Sequence, residues 1–344
     1  MSRYSIYRMA FEALARINAG PAIRKLSRAR GVIWTLHRVL PEAPEAFAPN
    51  AILQVTPDFL EAAIIKARES GFDIVDMDEA ARRIKAEPPE RPFVVLTFDD
   101  AYRDNLVHAL PVLRRQNAPF TLYVPTALVD GEGEVWWQAL EDMVSANNVV
   151  VAPGASGPRY MDTGTLEQKE RVYGALYAEC RAMPEHKRVG MIAEMAADHD
   201  LDLAAHCRSL IMDWDELQTF AREPLCTLGA HTVHHFELAK LSAAEARVEI
   251  EQSANVLSAA FGVRPVHLSY PIGAKVSAGP REFAIAGDLG FETAVTTRPG
   301  GLYATHRQTM TALPRISLNG RFQDPRYLDV FLTGAIFTLQ AGRG

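Results

Sequence analysis

Val94-Val95-Leu96-Thr97-Phe98-Asp99-Asp100 is an apolar, β-rich run that ends in two adjacent carboxylates. Such a run reads as a strand buried on both faces, with the acids at its carboxyl end. Far downstream, the apolar run Leu225 to Ala230 ends in His231-Thr232-Val233-His234-His235. Carboxylate oxygen and imidazole nitrogen together suit zinc or a similar divalent cation. With one carboxylate on the metal, its neighbour is free to act as a base, the inventory of a metal-assisted hydrolase. Adjacent residues of an extended strand point to opposite sides, so Asp99 and Asp100 take different roles only where the chain turns. Taken alone, the pair reads equally well as the N-cap and first-turn acid of a following helix. His231 and His235 lie four positions apart, so one helical turn puts both on one face. His234 is almost as well spaced, and spacing does not choose between them. Three histidines after an apolar run and Gly229 favour metal binding over the surface positions of lone histidines.

Around this strand the pattern alternates. Val32 to Leu36 reads as a strand ending at His37. Pro57 to Ser70 carries Phe59, Leu60, Ala63, Ile64 and Ala67 at helical spacing, with Thr56 as N-cap and Gly71 closing the helix. Then come an extended Phe72 to Val75, a helix Met77 to Ile84, the strand Phe93 to Phe98, a helix Asp104 to Gln116 and a strand Phe120 to Val124. Leu225 to Ala230, Val266 to Tyr270 and Thr293 to Thr297 read as further strands, with Leu313-Pro314-Arg315-Ile316 as the last. Ala243 to Ala260 is a helix, with Ser242 as N-cap and Glu245 at the capping-box position. Strands alternating with helices predict an α/β fold, a parallel sheet covered by helices. The stretch 136–222 breaks the alternation and reads as a mostly helical insertion, with a loop around Pro153 to Pro158. In a parallel α/β barrel, chemistry sits at the carboxyl ends of the strands. Asp99, Asp100, His231, His37 and Tyr270-Pro271 all fall there.

At 344 residues, 48% of them hydrophobic, the chain is long enough for a large barrel domain. Against 42 acidic residues stand 36 basic ones, a net charge of -6, which gives no global nucleic-acid footprint. Cys180, Cys207 and Cys226 are odd in number and widely spaced, so free thiols are expected. Residues 1–30 are Arg-rich with Glu12 as the one carboxylate, and lack the apolar core and cleavage site of a secretory signal. They read as a basic helix docked on the domain, or as one lying on a membrane surface or a partner. The run Val330 to Leu339 is too short to span a bilayer. A cytoplasmic enzyme is expected, resting on the inner face of a membrane if the basic segment binds there.

Thr97-Phe98-Asp99-Asp100, followed by Tyr102, resembles the Thr-Phe-Asp-Asp-Gly motif of polysaccharide deacetylases, the family of the nodulation-type chitooligosaccharide deacetylases. His231-Thr232-Val233-His234-His235 matches that family's His-Ser/Thr-x-x-His motif. Ser269-Tyr270-Pro271-Ile272-Gly273 resembles its third motif, which typically ends in Pro-Tyr-Gly. The resemblance implies a distorted, incomplete (β/α) barrel of about seven strands. The barrel would occupy residues 31–322, with the insertion at about 136–222, between a basic N-terminal helical segment (1–30) and a C-terminal helix (323–344). It implies Asp100, His231 and His235 as the metal triad, Zn2+ as the natural cofactor and Asp99 as general base. Tyr102 and Tyr270 would bind substrate, with a backbone N–H near Tyr102 on the oxyanion.

The departures are specific. Ala101 replaces the motif glycine, so the turn is expected to be right-handed or extended there. Ser269 stands where many members carry an arginine that orients the base. The family's closing Leu-x-His, which often supplies the acid, is absent; His306 is a candidate by position and His37 a candidate near the site. Arg315 reads either as a site contact or as a partner for some other carboxylate. Trp136-Trp137 reads as a sugar platform or as the anchor of the insertion. The leading function is a metal-dependent hydrolase that removes N-acetyl groups from an N-acetylglucosamine-containing carbohydrate. The alternatives are an amidase on a small non-sugar amide and an inactive barrel that binds glycan or a partner.

Overall fold

A computed structural model describes residues 29–86 and 91–333, together with Glu12. Eight parallel strands form the main sheet: β1 (Gly31–Leu36), β2 (Asp73–Val75), β3 (Phe93–Phe98), β4 (Phe120–Val124), β5 (Cys226–Ala230), β6 (His267–Ser269), β7 (Thr293–Val295) and β8 (Ile316–Ser317). The path runs β7-β6-β5-β4-β3-β1-β8, with β2 paired to the first half of β3. Leu313 makes a parallel bridge to Val295 just before β8 pairs with β1, so the chain from 313 to 317 draws the two ends of the path together. Between β5 and β6 the pairing is confined to Ala230 and Leu268. Below that contact the wall opens into a cavity of about 450 Å³. The fold is thus an incomplete (β/α) barrel.

Side chains alternate across each strand. Val32, Trp34 and Leu36 of β1 pack outward with Val94, Leu96 and Phe98 of β3 under the helices. Ile33, Phe93, Val95, Tyr123 and Val295 fill the lumen. Both faces are therefore apolar, which is why these strands read as unbroken hydrophobic runs. Helices cover the outside. Pro57–Glu69 is capped by Thr56, whose hydroxyl accepts from Phe59 N, and Ala243–Phe261 has the full Ser242/Glu245 capping box. Gly262 ends the latter in the left-handed conformation (φ 76°).

Two local expectations are corrected. The helix expected over 104–116 opens with a π-turn at Asn105–Ala109 before Leu110–Arg115. Pro111 lacks an N–H and its ring crowds the carbonyl one turn back, so a wider turn relieves it. The insertion contains helices Trp136–Ala146, Leu166–Ala182, Glu185–Asp198, Leu203–Leu210 and Trp214–Ala221, but also an antiparallel hairpin, Val149–Ala152 against Arg159–Asp162. The Pro153 to Pro158 loop is the tip of that hairpin. The β-branched run Val149-Val150-Val151 was the signal for it.

Of the C-terminal helix expected over 323–344, Pro325–Tyr327 is a 3-10 turn and Leu328–Thr333 is helical, while 334–344 lie outside the described residues, as does nearly all of the N-terminal segment. No helix among the described residues is long and apolar enough to cross a membrane. All three cysteines are free thiols.

Gly229 in β5 has the Tyr123 ring in the place of a side chain. Gly229→Ala is expected to destabilise the fold by about 1–3 kcal/mol through overpacking. Gly174→Ala, in the exposed middle of a helix with open space around it, is expected to stabilise by about 0.5–1 kcal/mol. Denaturant titration of both variants checks the pair of opposite signs.

Candidate active site

The first half of the site is built where β3 ends. Asp99 N still donates to Leu36 O (3.0 Å), so Asp99 leaves the ladder in register with β1. The chain then turns sharply: Asp100 has φ 74° and Ala101 φ 56°. The expectation that Ala101 would avoid the left-handed region is therefore overturned. The insertion clamps the turn in place. Met212 N donates to Ala101 O (3.1 Å), and Tyr102 bridges to Ile211. Left-handed residues other than glycine cost on the order of 1 kcal/mol or more, so they persist where surroundings over-determine them. Five of the seven described non-glycine residues with positive φ are Asp100, Ala101, Thr232, His235 and Ile272, all in the three motifs.

The second half follows β5. His231 N donates to Val124 O (3.1 Å), and His231 Nδ1 lies 2.7 Å from Ser269 O. A carbonyl only accepts, so Nδ1 carries the proton, and in the neutral ring Nε2 is a bare lone pair. His235 is brought back not by a helix, as the spacing suggested, but by a loop with left-handed turns at Thr232 (φ 65°) and His235 (φ 57°). Thr232 Oγ1 accepts from His235 N (3.1 Å). Glu249 settles the choice between His234 and His235. Its carboxylate accepts from Val233 N and His234 N and lies 2.6 Å from His234 Nδ1, which turns that ring outward. Trp137 packs on His235, ring centroids 4.9 Å apart.

Asp100, His231 and His235 thus converge, with one ligand atom from each within 4.8 Å of the others and all three side chains buried. Asp100 Oδ1 lies 3.4 Å from His231 Nε2 and 3.3 Å from His235 Nε2, and accepts no hydrogen bond. A buried carboxylate oxygen facing two imidazole nitrogens without a donor fits a cation. The electrostatics agree. Burial pushes His235 down to about 4, partly opposed by Asp100, so its ring is neutral and able to ligate near pH 7. Burial also pushes His231 down, but Asp100 and Asp99 outweigh it and raise it above the usual imidazole value. Positive charge is favoured at this point.

Asp99 has a different partner. Arg315 Nη1 donates to Asp99 Oδ1 (2.7 Å) and Nη2 to Oδ2 (2.6 Å), a bidentate pair that is fully buried. Thr97 Oγ1 (3.1 Å), Ser269 Oγ (2.9 Å) and Thr296 O (3.0 Å) accept its remaining N–H groups. Ser269 Oγ also donates to Asp99 Oδ2 (3.3 Å). Burial lifts the Asp99 pKa, but Arg315 outweighs it and holds the carboxyl below the usual carboxylate range. The guanidinium missing at position 269 is therefore supplied by the strand that closes the barrel.

A cleft of about 360 Å³ opens above Asp99, Asp100, His231 and His235. His37 lines it. His306 does not belong here. It follows Leu302, which pairs with Gly31 at the amino-terminal end of β1, and so sits at the opposite end of the barrel. Tyr102 and Tyr270, expected to bind substrate, are fully buried and absent from the cleft lining. The Tyr102 hydroxyl accepts from Trp137 Nε1 (2.9 Å), and that of Tyr270 donates to Thr311 O (2.9 Å). Both support the scaffold. Trp136 and Trp137 are at once anchors, being largely buried, and lining.

A family model described as Polysaccharide deacetylase matches residues 86–175 and 189–294. Among solved structures, the chain is similar to the Streptococcus pyogenes deacetylase PplD in complex with acetate, with TM-score 0.58 and 19% identity over 88% of this chain and 98% of that one. It is similar to IcaB from Ammonifex degensii, with TM-score 0.54 and 15% identity over 87% and 96%. The BpsB deacetylase domain from Bordetella bronchiseptica gives TM-score 0.51 and 16% identity over 83% and 94%. No curated protein matches by sequence.

The geometry predicts that purified protein binds one divalent cation per chain. His235→Ala is expected to lose it, and His234→Ala to keep it. Metal content after dialysis, measured by elemental analysis, separates the two; equal retention overturns the assignment.

Proposed function

Because the chain belongs to the polysaccharide deacetylase family, we propose that it removes N-acetyl groups from an amino-sugar carbohydrate by metal-assisted attack of water, with zinc as the metal. The observation that carries the reading is the convergence of Asp100, His231 and His235 beside a carboxylate with its own separate counter-charge. A divalent cation in that triad would supply Lewis acidity, polarising the amide carbonyl and making water a better nucleophile.

The chain's own groups do the rest. Asp99 takes the proton of the attacking water. Arg315 and Ser269 both donate to Asp99 Oδ2, whereas Oδ1 accepts from Arg315 and keeps another lone-pair site for the water's proton. So acidic a carboxyl holds that proton briefly, which favours its return to solvent and restores the carboxylate. His37 is the proposed donor to the departing amine, in place of the absent C-terminal histidine; its place in the cleft lining together with Asp99 and Asp100 supports the role. The backbone N–H at Tyr102 is proposed to help hold the oxyanion.

Release of acetate from chitooligosaccharides tests the reading. Asp99→Asn is expected to lower kcat by about 10²–10⁴-fold while metal content is kept. A folded, metal-loaded and fully active Asp99→Asn variant rejects the base assignment. Faster acetate release from small N-acetyl amides than from sugars would redirect the reading to an amidase. His37→Ala is expected to slow sugar deacetylation by about 10²-fold but to spare 4-nitrophenyl acetate, whose leaving group needs no proton. Equal losses on both substrates would remove His37 from the donor role.

A further inference from the structure

Above its charged floor the cleft offers few groups for sugar hydroxyls. Ile52, Leu53, Trp136, Trp137, Tyr177 and Ile272 line it. The polar liners are largely committed elsewhere. Asn50 Nδ2 donates to Trp137 O (2.7 Å), and Asn50 Oδ1 accepts from the Tyr173 hydroxyl (2.9 Å). Thr297 Oγ1 donates to Ile272 O (2.6 Å). Thr35 Oγ1 remains, buried in the lining without a partner among the described residues, along with exposed Ser317, half-buried His37 and the hydroxyl of half-buried Tyr177. A polysaccharide held along a groove leaves its hydroxyls unpaired unless the protein supplies partners, and unpaired polar groups are costly. This lining serves one sugar ring.

Ile272 sharpens the point. It is a β-branched residue at φ 61°, a genuine conformational outlier, and it lines the cleft. The turn is fixed from behind: Thr297 N donates to Gly273 O (3.1 Å), and a Cβ on Gly273 would lie 2.6 Å from Thr297 N. The motif it resembles ends in Pro-Tyr-Gly, so a phenol is replaced by an aliphatic group held at the cleft against backbone preference.

We infer that the substrate is a single N-acetylated amino sugar carrying an apolar aglycone, an alkyl or isoprenoid chain, seated against Ile52, Leu53 and Ile272. This rests on the deacetylase reading. Each methylene buried is worth up to about fourfold in binding.

The test compares kcat/KM for methyl and hexyl β-N-acetylglucosaminides and for chitotetraose, using the metal-loaded full chain. The hexyl glycoside is expected to exceed the methyl glycoside by at least about tenfold, mainly through KM. In Ile52→Ser/Leu53→Ser the hexyl-to-methyl ratio is expected to fall towards one. Ile272→Gly removes the side chain and relieves the strained backbone, so it guards against loss of folding; its ratio is expected to fall too. Equal wild-type values for hexyl and methyl, a preference for chitotetraose over the hexyl glycoside, or an unchanged ratio in folded variants overturns the inference. Acetate from none of the three substrates sinks the deacetylase reading instead.

Discussion

Two adjacent carboxylates cannot both stay ionised and buried at the mouth of an apolar barrel unless each has its own counter-charge. At an effective dielectric of about 20, unit charges about 4 Å apart interact by roughly 4 kcal/mol, enough to decide protonation states. Asp99 and Asp100 are both almost fully buried. Asp99 has Arg315 across the barrel mouth; among the described residues Asp100 faces the imidazole nitrogens of His231 and His235. The proposed division of labour between base and metal ligand follows from that asymmetry. Removing Arg315 would leave an uncompensated buried charge, a loss of about 3–5 kcal/mol.

Separating two neighbouring residues this way requires a chain reversal between them, and the reversal is strained. The left-handed turn at Asp100 and Ala101 is held by hydrogen bonds to the end of the insertion at Ile211 and Met212. The left-handed turns around His235 are held by Thr232, by backbone contacts to 126–127 and by Glu249. A buried ion-pair network, Arg188 with Glu185 and Glu134 and Glu237 with Arg181 and Lys240, ties insertion helices to the segment that follows His235. The strain and its supports belong to the same loops, so the site is preorganised by tertiary contacts that no single strand carries.

What the sequence made legible was whatever local pattern determines. A strand buried on both faces is apolar throughout, so Phe93–Phe98 and Phe120–Val124 have the limits expected of them. Helices with side-chain caps at Thr56 and Ser242 begin where expected. The meeting of Asp100 with the histidines of the second motif was legible because both motifs arrive at strand ends. Arg315 was not assigned, since it lies 216 residues from Asp99 and nothing local links them. Its signal was a lone charge within an apolar strand, which must be paired if buried. The choice of His235 over His234 rests on Glu249 from another helix. The left-handed Ala101 depends on the clamp from 211–212, again non-local.

The two histidines are not supported alike, and this ties the insertion to the chemistry. His231 is oriented by a hydrogen bond from Nδ1 to Ser269 O, the usual arrangement for a metal-ligating ring. His235 Nδ1 is buried without a partner, and its ring is placed by Trp137 instead. Trp137 is itself fixed by its indole N–H on Tyr102, directly after the Asp100-Ala101 turn. One insertion residue therefore touches a proposed ligand, supports the turn that presents another, and lines the cleft. Reshaping the aromatic wall to accept a different sugar would disturb the metal set at the same time. Ile52, Leu53 and Ile272 line the same cleft from segments outside the insertion.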